Sequence, residues 1–356
     1  MSRIAAGAIL LLLAAQLGAA DYPAPVEGDF LAKDFVFSTG EKLPELRIHY
    51  TTLGTPAKNA AGRVTNAVLI MHGTGGSGRG FLSATFGGVL FGAGQLLDAT
   101  RYYIILPDDI GHGGSSKPSD GLHAKFPRYT YTDMVKAEHR LVTEGLGVNH
   151  LRLVMGTSMG AMHTWMWGEM YPEEMDALMP LASAPVEIGG RNRMLRKMII
   201  DSIRRDPNWN NGEYKGPLAG MAAAQFALFV MTSSPLQLYK QAPTLEQADG
   251  LFERRFYGAQ ARPVDANDML YEFDCSRDYN PAPELEKIQA PLYAINSADD
   301  QVNPPELGIM EREIKRVKRG RYILLPITDQ TRGHGTHSLP AIWGGYLAEL
   351  LKESGN

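Results

Sequence analysis

Short, almost wholly apolar runs alternate with amphipathic stretches along most of the chain. Ala67-Val68-Leu69-Ile70-Met71, Tyr102 to Leu106, Leu151 to Met155, Ala177 to Leu181, Pro291-Leu292-Tyr293-Ala294-Ile295 and Arg321 to Leu325 show little polar alternation. Three of them run into turn formers: His72-Gly73, Pro107-Asp108-Asp109 and Gly156. Runs of this length and uniformity fit strands covered on both faces, as in a parallel sheet. Two earlier runs, Phe35-Val36-Phe37 and Leu46 to Thr52, bounded by Gly or Pro, raise the expected set to eight strands. Helical spacing fills the gaps: Thr132 to Leu146, Met159 to Tyr171 stopping before Pro172, Glu306 to Val317, and Leu339 to Leu351. Strand-then-helix order predicts an α/β fold with a mostly parallel eight-stranded sheet and helices on both faces. From Pro185 to about Leu285 the strand signal disappears, and Met, Ala and aromatic residues dominate. That stretch reads as a helical cap inserted over the carboxyl edge of the sheet. The expected division is a signal peptide at 1–20, the first part of the core at 21–185, the cap at 186–285 and the rest of the core at 286–356.

The amino terminus has its own pattern. Arg3 precedes a mostly apolar Ile4 to Leu17, and Gly18-Ala19-Ala20 supplies small residues before Asp21. This reads as a secretory signal peptide, 1–20, and places the mature protein outside the cell or in the periplasm. No Cys follows the apolar run, so no lipoprotein anchor is indicated. With 35 Lys+Arg against 39 Asp+Glu and no basic stripe, nothing asks for nucleic acid. No second long apolar run asks for a membrane span once the signal is cleaved. Cys275 is the only cysteine, which excludes an intrachain disulfide and disfavours a cysteine metal site. A secreted chain without disulfides fits a periplasm better than a harsh exterior.

Gly156-Thr157-Ser158-Met159-Gly160 matches G-x-S-x-G. The pattern is short, and its context gives it weight: a strand precedes it and a helix follows. A sharp strand-to-helix turn aims the Ser158 hydroxyl above the sheet and at the positive end of the helix. A serine hydroxyl needs a base, and the base an orienting carboxylate. In the fold built around this turn they follow in the order Ser, Asp, His. The acid is expected after the strand 291–295, where Asp299 and Asp300 compete. The base is expected after the strand 321–325, where His334 and His337 compete. All other histidines lie at or before His163; His49 and His150 read as solvated or ordinary core residues. The oxyanion hole is expected to use backbone N–H groups of Met159 and of Thr74, the residue after His72-Gly73. The loop 72–76 is no phosphate cradle, because no Gly-Lys-Ser/Thr follows. Asp109 to Ser115 reads as a tight turn rather than a metal site. Met159, Met162, Met166 and Met170 read as core filling. No cofactor or metal is expected.

Beyond the turn, the chain resembles the homoserine O-acetyltransferase-like family of the α/β-hydrolase superfamily. The resemblance runs from about Phe35 to the carboxyl end. It rests on Phe126-Pro127 through Thr132-Asp133-Met134-Val135, Leu146-Gly147, the Ser158 motif, Tyr171-Pro172 and Pro180-Leu181-Ala182, with Asp206-Pro207-Asn208-Trp209 and Gly212-Glu213-Tyr214 in the cap. It implies Asp300 as the acid, because Gln301-Val302-Asn303-Pro304-Pro305 follows it, and His334 as the base, because it directly follows Gly333. Three departures bear on function. Ala224-Gln225 stands where the family's transferases carry Ala-Arg. Met231-Thr232-Ser233-Ser234 replaces Thr-Tyr-Arg-Ser, and Gly333-His334-Gly335 replaces Gly-His-Asp. The charge partners for an amino-acid acceptor are thus missing. The expectation is a secreted or periplasmic serine hydrolase that cleaves an ester, less readily an amide, of a small-molecule acyl substrate. The alternative is an acyltransferase with an alcohol or amine acceptor. A homodimer is left open.

Overall fold

In a computed structural model, residues 22–258 and 263–355 are described; the expected signal peptide lies outside them. The eight strands are β1 (Val26–Val36), β2 (Lys42–Leu53), β3 (Ala67–Met71), β4 (Tyr103–Pro107), β5 (Leu153–Thr157), β6 (Leu178–Leu181), β7 (Leu292–Ser297) and β8 (Gly320–Leu325). They form one sheet in the order β1-β2-β4-β3-β5-β6-β7-β8. β1 and β2 pair antiparallel, as do β2 and β4, and every other pair is parallel. β1 is much longer than the run 35–37 suggested. It is an edge strand whose charged and polar residues face solvent, so it carries no apolar run.

Alternate residues of the central strands feed two cores. Leu69, Met71 and Val154 point into one, with Met134, Trp165 and Trp167 from the helices Tyr131–Arg140 and Met159–Met170. Val68, Ile70, Leu153 and Met155 point into the other, with Trp343, Leu347 and Leu350 from the helix Pro340–Glu353. Period-two alternation therefore exists in these strands but separates two apolar faces, which is why the sequence reads as uniformly apolar. The expected helix 306–317 is broken instead. Gly308, at φ 59°, turns the chain between a one-turn segment and the short helix Ile309–Glu313. The segment between β6 and β7 contains the helices Gly190–Arg204, Ala219–Thr232, Pro235–Gln241, Leu245–Phe256 and Ala266–Asp274.

Candidate active site

β5 runs straight into Ser158, whose backbone sits at φ 54° and ψ −108°. A side-chain-bearing residue held there costs on the order of 1–3 kcal/mol, which the surrounding packing must offset. That packing needs two glycines. A Cβ on Gly156 would lie 2.2 Å from the Gly160 backbone, and one on Gly160 would lie 2.1 Å from the Met71 carbonyl oxygen. Gly160 N–H donates to His72 O at 2.9 Å, tying the turn to the end of β3. Ser158 thus stands at the amino end of the helix Met159–Met170, where peptide dipoles favour developing negative charge.

The loops after β7 and β8 bring the partners. His334 Nε2 lies 2.8 Å from Ser158 Oγ, and His334 Nδ1 lies 2.9 Å from Asp300 Oδ2. A donating Nδ1–H leaves Nε2 free to accept the serine proton. Asp300 is about as buried as a side chain can be, yet it has further donors. Oδ1 accepts Val302 N–H at 2.8 Å and Oδ2 accepts Asn303 Nδ2 at 3.0 Å. Asn303 Nδ2 also donates to Ala182 O at 3.0 Å, which anchors the loop to the end of β6. Burial alone would raise the Asp300 pKa, but the His334 charge and these hydrogen bonds outweigh it and hold the carboxyl below its ordinary value.

The two residues that competed in the sequence occupy other places. Asp299 faces away from the imidazole. Its carboxylate accepts Ser297 Oγ at 2.5 Å, Thr331 Oγ1 at 3.1 Å and Gly333 N–H at 2.9 Å, with Ser234 Oγ at 3.3 Å. It fastens the His334 loop to β7 and to the helical insertion. His337 is half-buried, its ring 5.2 Å from that of His334 and its Nδ1 2.8 Å from Ser338 Oγ. Burial, then the neighbouring His334, push its ring towards the neutral form.

The loop after β3 lies against the serine: a Cβ on Gly73 would be 3.2 Å from Ser158 Cβ. His72 Nε2 accepts Asp109 N–H at 3.1 Å, so its Nδ1 donates to Gly73 O at 2.8 Å, and Gly76 N–H closes a turn on the same carbonyl at 2.9 Å. Thr74 lines the cavity above Ser158, and Met159 begins the helix behind it. The cavity measures about 430 Å³. The insertion contributes Arg196, Leu228, Met231, Thr232 and Phe273 to its wall. Gln225, one turn before Leu228, is not among the lining residues. The sequence reading passed over Arg196, although a signal was available: it shares a helical stripe with the buried Ile199, Ile200 and Ile203.

On the Trp165 side of the sheet lies a second cluster. The ligand-type atoms of Asp109, Glu138 and His163 fall within 4.8 Å of one another, all buried, a geometry a cation would fit. Glu138 already serves two partners, accepting Trp167 Nε1 at 2.7 Å and lying 2.7 Å from His163 Nδ1. The Asp109 side-chain oxygens have no hydrogen-bond partner among the described residues. Burial, then Glu138, push Asp109 well above its usual pKa. The Asp109 turn itself is the tight turn expected: Gly111 N–H donates to Ser116 O and Ser115 N–H to His112 O.

The sheet order and the serine on its turn define an α/β-hydrolase architecture. Residues 66–319 match the family described as "alpha/beta hydrolase fold". Two relatives are similar over most of the chain. A probable acyltransferase of Methanothermobacter thermautotrophicus is 29% identical over 279 residues, covering 78% of this chain and 84% of the relative. A homoserine O-acetyltransferase of Moorella thermoacetica is 33% identical over 267 residues, covering 65% and 69%. The crystal structure of esterase E22 superposes with a TM-score of 0.78 at 20% identity, covering 92% of this chain and 100% of that one. The chain belongs to the α/β-hydrolase fold family, in its homoserine O-acetyltransferase-like branch. The two sequence relatives carry acyltransferase names, and the structural neighbour of the same fold carries an esterase name.

Proposed function

We propose that the protein is a serine-dependent ester hydrolase, exported to the periplasm or beyond, that works through an acyl-serine. The observation that carries this reading is the unbroken hydrogen-bond chain Ser158 Oγ, His334, Asp300 at 2.8 and 2.9 Å. Ser158 Oγ attacks the ester carbonyl while His334 Nε2 takes its proton. The tetrahedral oxyanion is met by Met159 and Thr74 N–H groups, each worth about 3 kcal/mol in such sites. His334 returns the proton to the departing alkoxide, leaving the acyl group on Ser158. Water then enters, His334 takes a proton from it as the hydroxide adds to the acyl carbon, and the second tetrahedral species collapses as His334 gives that proton to the leaving Ser158 Oγ, releasing the free acid. Asp300 keeps the imidazole oriented and stabilises its charged form.

Water is preferred as the acceptor for two reasons. Gln225 and Gly335 stand where the related transferases carry an arginine and an aspartate, and the amino-terminal pattern of Arg3 to Ala20 reads as an export signal. The second reading, acyl transfer to an alcohol or amine, is favoured by the names of the relatives. The test is purified mature protein on short p-nitrophenyl esters, beside Ser158→Ala, with product analysis with and without acceptor alcohols. Hydrolysis by the wild type alone supports the reading. Equal rates in both proteins sink it, and acyl transfer exceeding hydrolysis favours the second reading.

A further inference from the structure

The cavity above Ser158 holds an arginine and no acid. Arg196 is 3% exposed, and among the described residues it is the one buried Lys or Arg. Its Nε donates to Asn192 Oδ1 at 3.0 Å and its Nη1 to Ser276 Oγ at 3.1 Å, both neutral partners. The Phe273 ring lies 5.7 Å from the guanidinium carbon. Among the described residues no carboxylate oxygen comes within 4.0 Å of the guanidinium nitrogens. The acids nearby are committed elsewhere. Asp274 pairs with Arg128, Arg204 and Arg277, and Asp278 accepts the N–H groups of Tyr131 and Thr132. Glu272, behind the Gly75 loop, is pushed up to about 8 by burial and then by Asp268, so it offers little negative charge at neutral pH.

A guanidinium cannot shed its proton in a protein, so burial without a counter-charge is costly unless an anion completes the site. The Nη2 group makes no hydrogen bond among the described residues, and Arg196 forms part of the cavity wall. We propose that Arg196 binds a carboxylate carried by the substrate, so that the enzyme acts on small esters bearing a free carboxylate. This rests on the ester-hydrolase reading above and adds a substrate class to it. Among the described residues the lining contains no Asp or Glu to meet an ammonium group. The fitting substrate is therefore an acid without a free amine, such as an O-acylated hydroxy acid or the half-ester of a dicarboxylic acid. Arg196 would supply, from the helix Gly190–Arg204, the charge that Gln225 on the helix Ala219–Thr232 does not.

Two chain-matched pairs of esters test this. One is 3-acetoxypropanoate against its methyl amide, with the charge on the leaving side. The other is mono-p-nitrophenyl glutarate against p-nitrophenyl pentanoate, with the charge on the acyl side. The expected result is a preference of about ten-fold or more in kcat/KM for the anion in at least one pair, mainly through KM. In Arg196→Gln the ratio should fall to about one, and Arg196→Lys should keep part of it. Because the ratio is taken within each variant, a general loss of active protein cancels. Neutral esters turned over with no anion preference, or a preference unchanged in Arg196→Gln, overturns the inference and leaves the hydrolase reading standing. If no ester is turned over, the hydrolase reading fails separately. Calorimetric binding of 3-acetoxypropanoate and of glutarate to Ser158→Ala and to Ser158→Ala/Arg196→Gln then decides. Loss of binding in the double variant supports the site, and equal or absent binding in both overturns it.

Discussion

Two buried carboxylate–histidine sets lie within one molecule and behave in opposite ways. Asp300 and His334 sit on the loops after β7 and β8, and Asp109, just after β4, meets His163 from the helix Met159–Met170. Both aspartates are withdrawn from water, at 1% and 2% exposure, so burial alone does not separate them. Hydrogen bonds do. Asp300 accepts from His334, Val302 and Asn303 and is held below its ordinary pKa. Asp109 accepts nothing among the described residues, and burial, then Glu138, push it well above its ordinary value. The first set keeps an ionised carboxylate ready to steady an imidazolium. The second is biased by burial towards its protonated form. Satisfied lone pairs, not burial, thus separate the carboxylate that the proposed mechanism uses from the one it leaves aside.

The strongest way to break this contrast is to remove the groups of the first set and the serine they serve. Ser158→Ala should lower kcat by on the order of 10⁴–10⁶-fold, and His334→Ala by a similar amount. Asp300→Asn should cost on the order of 10⁴-fold, because the amide inverts the tautomer of His334. The neighbour Asp299→Asn should act differently. It weakens the bonds to Gly333, Thr331 and Ser297 and should cost about 1–3 kcal/mol of stability, with a much smaller loss of kcat. His337→Ala should lower kcat by less than about ten-fold, since its ring bonds Ser338 and not the Ser158–Asp300 chain. Steady-state kinetics on one p-nitrophenyl ester, with a thermal melt for each variant, checks all five. A His337→Ala defect as deep as that of His334→Ala would reverse the assignment of the base.

Much of this was legible in the chain itself, and the misses have physical causes. The central strands stand out because both faces are apolar, and Ser158 stands out because glycines flank a strand-to-helix turn. The choice between Asp299 and Asp300 was not available from spacing. Adjacent residues of a loop face opposite ways, and only the resemblance singled out Asp300. β1 was underestimated because an exposed edge strand carries Lys33, Asp34 and Glu27 where an inner strand carries Val or Ile. Arg196 escaped because the insertion shows no strand rhythm to anchor a reading. Its helix nonetheless places an arginine on the stripe of Ile199, Ile200 and Ile203, and a cation on a buried stripe needs a reason.

The smallest effect sharpens the comparison most, because the two sets should tilt stability in opposite directions with pH. Glu138, beside Asp109, is raised by burial to about 7 from 4.5. A carboxyl whose folded pKa is raised binds its proton more tightly when folded. Its contribution to stability is full below about 4.5 and is lost as pH rises through about 7. At about 1.4 kcal/mol per unit the loss is at most about 3.5 kcal/mol, and sharing with Asp109 reduces it. Asp300 has the reverse sign. Its folded pKa is depressed, so its contribution is full above its unfolded value of about 4 and is lost only as pH falls below that. Glu138→Gln keeps the shape and an acceptor for Trp167 Nε1. Urea unfolding of wild type between pH 5 and 7.5 should show stability falling as pH rises, and Glu138→Gln should flatten that fall while leaving the decline below pH 4 in place. Parallel wild-type and Glu138→Gln curves across pH 5 to 7.5 would mean that Glu138 is already ionised at pH 5. The Asp109 cluster would then be a charged network like that of Asp300 and His334, and the contrast between the two sets would not hold.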